Sequence, residues 1–398
     1  MKKGMNKQLF IPIAVTIGLI LFLAILPNRF QAITFPGQER VKVEVIGVDN
    51  SQMDNAGMSL YGEQLCRVKI LQGSFKGQEG DGVNLLSGKL EEDKVFVSGD
   101  KALAVIDTKE GKISFINLVD HYRIHKEIVL VGLFIVVLIA FAGAIGLRSI
   151  LSFILTIMLI WKVVIPGFLM GIDPVWIGVG ATMLLTMMII LLVYGNDRRS
   201  WGAILGSFSG TLLTCVMAIY FVGDFKIHGA IMSHSESLLY SGFSHLNLTR
   251  IFTASIFIAS SGAMMDVAVD ITSAIAELME KNPNLSKKEA ILSGLNVGRA
   301  VMGTMTTTLL LAYSGGYMAL LMVFMAQGTP MINILNLKYV ASEILHTIIG
   351  SFGLVTVAPF TALTAGLLLG AKKEAILISD PEIHEGQGIQ NAQGIEDI

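Results

Sequence analysis

The chain has 398 residues, of which 53% are hydrophobic and 15% are charged, with a mean hydropathy of +0.66. Soluble domains carry closer to a quarter charged residues, so this composition excludes an ordinary soluble protein and indicates a polytopic membrane protein. The net charge of -2 gives no reason to expect nucleic acid as a partner. The two cysteines lie in different kinds of segment, which argues against a disulfide framework and against a cysteine-based metal site.

A basic start followed by an apolar run predicts that residues 1–27 form a first transmembrane helix. Lys2, Lys3 and Lys7 precede the apolar stretch at 9–26. This stretch is longer than the hydrophobic region of a usual signal peptide, and no small-residue cleavage site follows it. We therefore expect an uncleaved helix whose N-terminus lies in the cytoplasm.

Residues 28–126 differ from the rest of the chain, because short alternating apolar runs are separated by glycines and charged residues. Alternation with a period of two is typical of half-buried strands, and frequent glycine turns are typical of small antiparallel barrels or sandwiches. We therefore predict a small all-β extracytoplasmic domain that resembles a barrel. The expected strands include 41–45, 65–71, 94–97, 102–106 and 113–118.

Residues 127–378 contain repeated apolar stretches long enough to cross a membrane, which predicts a transmembrane helical bundle. Basic breaks at Arg148, 196–199 and 281–288 alternate with less basic ones, as the positive-inside rule requires. Together with the first helix, the pattern predicts about eight spans. The seven in this region are expected at 127–147, 150–170, 174–194, 201–223, 251–271, 297–314 and 341–370.

The segment 317–325 is apolar but shorter than the ~20 residues that a spanning helix needs. If it does not span, Lys372 and Lys373 lie in the cytoplasm, and if it spans they lie outside. The positive-inside rule favours the first alternative, with 317–335 re-entrant or on the membrane surface. The polar residues 379–398 are then expected to form a disordered cytoplasmic tail.

Glycines spaced four residues apart indicate close helix contacts, because a missing side chain lets two backbones approach. Gly202, Gly206 and Gly210 share one face of the span at 201–223. Gly262 and Gly303 lie among other small residues in the next two spans, and we expect them to pack in the same way. This pattern predicts helix packing and says nothing about function.

The span that begins near Arg250 carries one polar stripe when its residues are placed at 100° intervals. The stripe is small in its outer half and acidic in its inner half. It comprises Ser255, Ala259, Gly262, Asp266, Asp270, Ser273 and Glu277. Charged side chains are costly in lipid and mark functional sites by default. Three carboxylates on a face that small residues open to a neighbouring helix therefore indicate a site.

Depth in the membrane distinguishes the three carboxylates. Asp266 lies roughly 24 Å beyond Arg250 at 1.5 Å per residue, and the hydrocarbon core is about 30 Å thick. Asp266 is therefore the first candidate for coupling to a proton or a cation, and Asp270 lies near the inner edge of the core. Glu277 is expected to be a solvated helix end. The structural alternative for Asp266 is an ion pair or a hydrogen bond that holds two helices together.

The following span presents small and hydroxyl residues on one face, and a short connection makes it an antiparallel neighbour of the acidic helix. An ion pair between Asp266 and Arg299 is therefore expected. Glu343 and His346, one turn apart at the start of the last span, either share a proton, cap the 317–335 segment or are solvated at the membrane surface. Arg299, Thr304 and Thr307 are further candidates for the coupling site, and Asn296 is a secondary candidate like Glu343 and His346.

Two classes of function remain open. In the first, the chain is a membrane permease or exporter coupled to a proton or a cation through the Asp266 cluster. In the second, it is a non-transport membrane scaffold or assembly factor, in which the same cluster only locks helices together. An enzyme is not expected, because the sequence contains no nucleophile elbow, no H-E-x-x-H motif and no P-loop. We expect no cofactor and no metal site.

Five segments resemble the signature segments of the YibE/F family of multi-pass bacterial membrane proteins. They are 261–268, 293–299, 302–306, 309–313 and 342–345. The likeness extends over about 120–370, and longer members of the family also carry an extracytoplasmic β-domain. Members often occur as adjacent paralogues, so the resemblance implies a paralogous membrane subunit, or self-association, in addition to membrane lipid. The order of elements is also similar, more distantly, to that of SecD/SecF proteins.

Overall fold

The computed structural model describes residues 2–27, 30 and 37–370, so the predicted tail at 379–398 lies outside the described residues. The helices are α1 (Lys2–Ile25), α2 (Ile124–Leu159), α3 (Ile165–Leu169), α4 (Pro174–Tyr194), α5 (Arg198–Asp224), α6 (Ser235–Tyr240), α7 (Leu248–Lys281), α8 (Lys287–Ser314), α9 (Met318–Ala326), α10 (Met331–Asn336) and α11 (Lys338–Gly370). The strands are β1 (Gln38–Asp49), β2 (Met53–Ala56), β3 (Ser59–Ile70), β4 (Glu79–Ser87), β5 (Lys101–Lys109) and β6 (Lys112–His121).

The described chain divides into two compact units, of which one comprises residues 30–143 and the other comprises the remainder. The division falls within α2, where the backbone angles of Gly143 (φ 53°, ψ -126°) interrupt the helix. A positive φ is readily adopted by glycine and strained for other residues. A helix break at this position therefore depends on glycine.

The strands of the first unit form one sheet in the order β1-β5-β6-β4-β3-β2, and β1 also pairs with β3. This additional pairing, which places Val43 opposite Ile70, closes the sheet into a barrel. Alternate residues of β1 point inward, so that Val41, Val43 and Val45 are buried with Phe96 in the barrel core. The prediction of a barrel-like β-domain is confirmed.

Two features of the barrel differ from the strands that the sequence predicts. The segment 94–97 is not a strand, because Phe96 bonds instead to the side-chain amide of Gln64: its N–H donates to Oε1 (2.9 Å) and its C=O accepts from Nε2 (2.8 Å). Strand β4 was not expected, since its glycines favour turns. A Cβ on Gly80 would lie 2.9 Å from Cδ1 of Ile116, so this strand needs glycine where it crosses the core.

Six helical runs of the described chain are long and apolar enough to cross a membrane, which is consistent with a multi-pass membrane protein. They are Ile124–Leu169, Pro174–Tyr194, Arg198–Asp224, Leu248–Lys281, Lys287–Ala326 and Lys338–Leu369, and a shorter apolar helix lies at Leu9–Ile25. The first run has 46 residues, or about 69 Å at 1.5 Å per residue. This is more than twice the thickness of a hydrocarbon core, and the run contains the break at Gly143.

Helix α11 packs closely against α5 at the three glycines that the sequence singled out. A Cβ on Gly202 would lie 3.1 Å from Cα of Ala365, and one on Gly206 would lie 2.7 Å from Cα of Thr361. A Cβ on Gly210 would lie 3.0 Å from Cβ of Val357. A side chain at any of these positions would force the neighbouring helix to shift, so these glycines allow the two backbones to approach.

Helices α8 and α11 run antiparallel. In the first half of α8, a Cβ on Gly298 would lie 2.9 Å from Cβ of Ala358, in the second half of α11. At the end of α8, the ring of Tyr313 stacks on that of His346, near the start of α11, with centroids 4.6 Å apart. The segment that joins the two helices, 315–337, therefore leaves and returns at the same end of the helical unit.

Candidate functional site

The polar stripe of α7 lies on the exposed side of the helix. The opposite face of α7 contributes Met264, Val267 and Ile271 to the core, where they pack against α11. Side chains point outward all around a helix, so a helix cannot turn all of them toward one neighbour. Because the face with Met264, Val267 and Ile271 packs in the core, the opposite face with the stripe is left exposed. In the stripe Ser255 is half-buried, and Ala259, Gly262, Asp266, Asp270, Ser273 and Glu277 are exposed.

This placement differs from the expectation that the stripe faces another helix of the same chain. A Cβ on Gly262 or on Gly303 would meet no atom within 4 Å, so neither glycine is at a close helix contact within the described chain. Helix α8 approaches α7 through a different pair of glycines. A Cβ on Gly294 would lie 3.1 Å from Cγ1 of Ile275, and one on Gly298 would lie 3.1 Å from Cδ1 of Ile271. The spacing of four residues between Gly294 and Gly298 is a sequence signal that could have identified this contact.

The small half of the stripe lines a cavity of about 550 Å³ beside α7. Ser255, Ala259 and Gly262 form one wall, and residues of α4 and of the helical run that ends at Leu169 form the others. The lining is mostly apolar, with hydroxyl groups from Thr156, Thr182, Thr186, Ser255 and Ser261. The small side chains of the stripe therefore provide space for a cavity rather than for a helix contact.

Asp266 lies one helical turn beyond Gly262, at the end of the cavity-lining residues. Asp266 and Asp270 interact electrostatically with one another, and Tyr194 at the end of α4 interacts with both. Neither carboxylate forms an ion pair within the described chain. Glu277, which follows the acidic pair along α7, differs from both aspartates because it has a cationic partner: Lys281 donates a 2.6 Å hydrogen bond to it. Two carboxylates without a cationic partner can accept a proton or a cation.

The candidates on α8 lie on the exposed side of that helix as well. The guanidinium of Arg299 donates a 2.9 Å hydrogen bond to Asn296, and the expected ion pair with Asp266 is not formed. The hydroxyl of Thr304 donates to the carbonyl of Val301 (3.1 Å), and Thr307 is exposed. The ion pair is missing because of the orientation of α8 about its own axis. This orientation places Gly294 and Gly298, rather than Arg299, against the neighbouring helices.

The secondary candidates Glu343 and His346 lie in a half-buried polar cluster with two tyrosines that the sequence did not single out. Tyr313 stacks on His346, and Tyr317 forms a side-chain hydrogen bond with Glu343. The tyrosines precede the carboxylate by more than 25 residues, so only the antiparallel packing of α8 and α11 brings these groups together. No spacing within one helix could have predicted the cluster.

Comparison with known families gives one match. Residues 130–371, which are more than half of the chain, match the family model described as YibE/F-like protein. Searches of curated proteins and of solved structures found no match, and the likeness in layout to SecD/SecF proteins gains no support from them. The matched range includes α4, α5, α7, α8 and α11, and with them every candidate residue described above. The chain belongs to the family of YibE/F-like proteins.

Proposed function

We propose that the chain is a membrane permease or exporter coupled to a proton or a cation, with Asp266 and Asp270 as the coupling site. The observation that carries this proposal is the cavity beside α7, whose lining of small stripe residues ends at Gly262, one turn before Asp266. A coupling site within a membrane must be reachable by the ion and by the transported molecule. The cavity supplies volume at the place where the charged residues begin.

The acidic pair has the chemistry that binding a single positive charge requires. Asp266 and Asp270 are four residues apart on one face of α7, which places their Cβ atoms about 6 Å from one another. Like charges at this separation repel, and a proton or a cation held between them removes the repulsion. Tyr194, at the end of α4, interacts electrostatically with both carboxylates.

We further propose eight spans, with the N- and C-termini in the cytoplasm and the β-domain outside. Within the helical unit, the start of α1 lies beside Arg148, since Leu9 and Arg148 line the same groove. The guanidinium of Arg148 in turn donates a 2.8 Å hydrogen bond to the carbonyl of Val193, next to the basic break at 196–199. The first helix therefore starts at the end of the unit where basic residues concentrate, which the positive-inside rule assigns to the cytoplasm.

The second candidate function is a membrane scaffold or assembly factor, and the exposure of charged residues at membrane depth favours it. Asp266, Asp270 and Arg299 lie on outward faces of α7 and α8. A charged residue at the centre of a membrane helix costs about 2.5–3.5 kcal/mol on insertion scales. A membrane partner that covers these faces removes this cost, and we propose a paralogous subunit or a second copy in that role.

Access of water to the cavity distinguishes the two candidates. Ala259→Cys places a thiol in the cavity wall, and Val216→Cys places a matched thiol on an exposed apolar position of α5. The native Cys66 and Cys215 are both buried, so they give a low background. Transport predicts that a water-soluble, membrane-impermeant thiol reagent modifies Ala259→Cys in intact membranes and spares Val216→Cys. Equal protection of both thiols would support the scaffold instead.

A further inference from the structure

A half-buried polar cluster lies at the end of the helical unit that contains Arg250. The ring of His346 stacks on Tyr313 with centroids 4.6 Å apart and an interplanar angle of 26°. Phe252 of α7 meets the same imidazole edge-on, with centroids 6.3 Å apart. Glu343 lies one turn before His346 on α11, so that its carboxylate is on the same side of that helix.

Three polar atoms of this cluster are buried without a hydrogen-bond partner: Oη of Tyr313, Oε1 of Glu343 and Nε2 of His346. Each such atom is unfavourable when it is left unpaired, because it loses its hydrogen bonds to water and gains none within the protein. They belong to neighbouring side chains, because the ring of Tyr313 stacks on His346 and Tyr313 interacts with Glu343. A single polar group held between the three side chains would pair all three atoms.

We propose that Tyr313, Glu343 and His346 hold one ordered water molecule and together form a proton-binding site. The proposal goes beyond the transport function and does not depend on it, because the site is built from different residues. A buried water typically makes about three hydrogen bonds, which equals the number of unpaired atoms here. The water would accept from the Tyr313 hydroxyl and donate to Glu343 Oε1 and to His346 Nε2.

The surroundings of the imidazole are consistent with this arrangement. The ring interacts with the backbone of Ser255, whose carbonyl can accept a hydrogen bond from the Nδ1–H group. A neutral imidazole that donates from Nδ1 leaves Nε2 as an acceptor, which is the role that the water requires. A proton delivered by a hydronium ion of the solvent binds to this water, which passes one of its own protons on, so that an O–H bond forms on Glu343 or an N–H bond forms on His346 and the water is regenerated.

Apart from Arg250, the other groups that contact the site are neutral. Tyr317, just before α9, forms a hydrogen bond with Glu343, and Tyr313 interacts with the same carboxylate. Helix α7 contributes Phe252 and the backbone of Ser255. Arg250, at the same end of α7, is held by Asp173 at 2.6 Å. A positive charge from outside the cluster therefore does not neutralise Glu343.

Infrared difference spectroscopy of the full chain in lipid nanodiscs tests the proposal without any transport assay. Spectra recorded between acidic and alkaline buffer should contain the C=O stretching band of a protonated carboxyl group that belongs to Glu343. Glu343→Gln should remove this band, and Glu277→Gln, which changes an exposed carboxylate on α7, should leave it in place. Persistence of the whole band in Glu343→Gln would overturn the proposal.

Two variants test the water and the imidazole separately. Tyr313→Phe keeps the ring that stacks on His346 and removes only the hydroxyl, so it should fold and shift the frequency of the Glu343 band. His346→Gln should move the pH midpoint of the same band, because the proton is shared. An unchanged frequency in the first variant together with an unchanged midpoint in the second would show that Glu343 titrates alone and would contradict the shared site.

Discussion

Arg299 donates its 2.9 Å hydrogen bond to Asn296 on its own helix, and within the described chain it forms no ion pair with Asp266. The acidic pair is therefore not an internal lock between α7 and α8. What holds these helices together is the close approach of Gly294 and Gly298 to Ile275 and Ile271.

This arrangement predicts a small effect of Arg299→Gln on the stability of the isolated chain. Breaking a buried ion pair costs about 3–5 kcal/mol, whereas changes at exposed positions away from special contacts usually stay within about 0.5 kcal/mol. We expect the thermal midpoint of the purified chain to be nearly unchanged. A fall of many degrees would show that Arg299 pairs with a carboxylate after all.

Gly206→Ala should destabilise the helical unit. The added methyl group would lie 2.7 Å from the backbone of Thr361, and overpacking of this kind typically costs about 1–3 kcal/mol. Gly223→Ala in the same helix is the matched control, because a Cβ there meets no atom within 4 Å. Thermal unfolding in detergent should show a lower midpoint for the first variant only. Equal midpoints would contradict the close contact between α5 and α11.

The β-domain should lose stability in acid through Asp93. The amides of Ser87 (2.8 Å) and Gly88 (2.6 Å) donate to its carboxylate, and the hydrogen bonds from Ser87 hold the pKa of Asp93 below its usual value. Because the folded pKa is lowered, this stabilisation is present above about pH 4, the unfolded value, and is lost as the pH falls through the folded pKa.

Calorimetry of the full chain and of its Asp93→Asn variant checks the direction in which stability changes with pH. The variant should unfold earlier than the parent at neutral pH, and the two should converge in acid, where the parent carboxylate is protonated. Asp54→Asn, in the exposed strand β2, is the control and should behave like the parent at both pH values. A difference between Asp93→Asn and the parent that is independent of pH would contradict the account.

The sequence was most informative about features that depend on a single helix or strand. Periodicity alone placed Ser255 through Glu277 on one face of α7, and spacing alone identified Gly202, Gly206 and Gly210 as contacts. Neither could say which face of α7 would be covered, because that depends on where α11 packs. The Tyr313–His346 stack and the Gln64–Phe96 hydrogen bonds join residues that are distant along the chain, and no local pattern encodes them.

The most direct test of the coupling site is proton flux into liposomes that contain the purified chain and a pH-sensitive dye, in parallel with the flux of a monovalent cation. Asp266→Asn is compared with Glu277→Gln, which changes a carboxylate of the same stripe that Lys281 already holds at 2.6 Å. We predict flux in the parent and in Glu277→Gln, and flux at the level of protein-free liposomes in Asp266→Asn. Undiminished flux in a well-folded Asp266→Asn protein, or no flux of either ion in the parent, would contradict the proposed function.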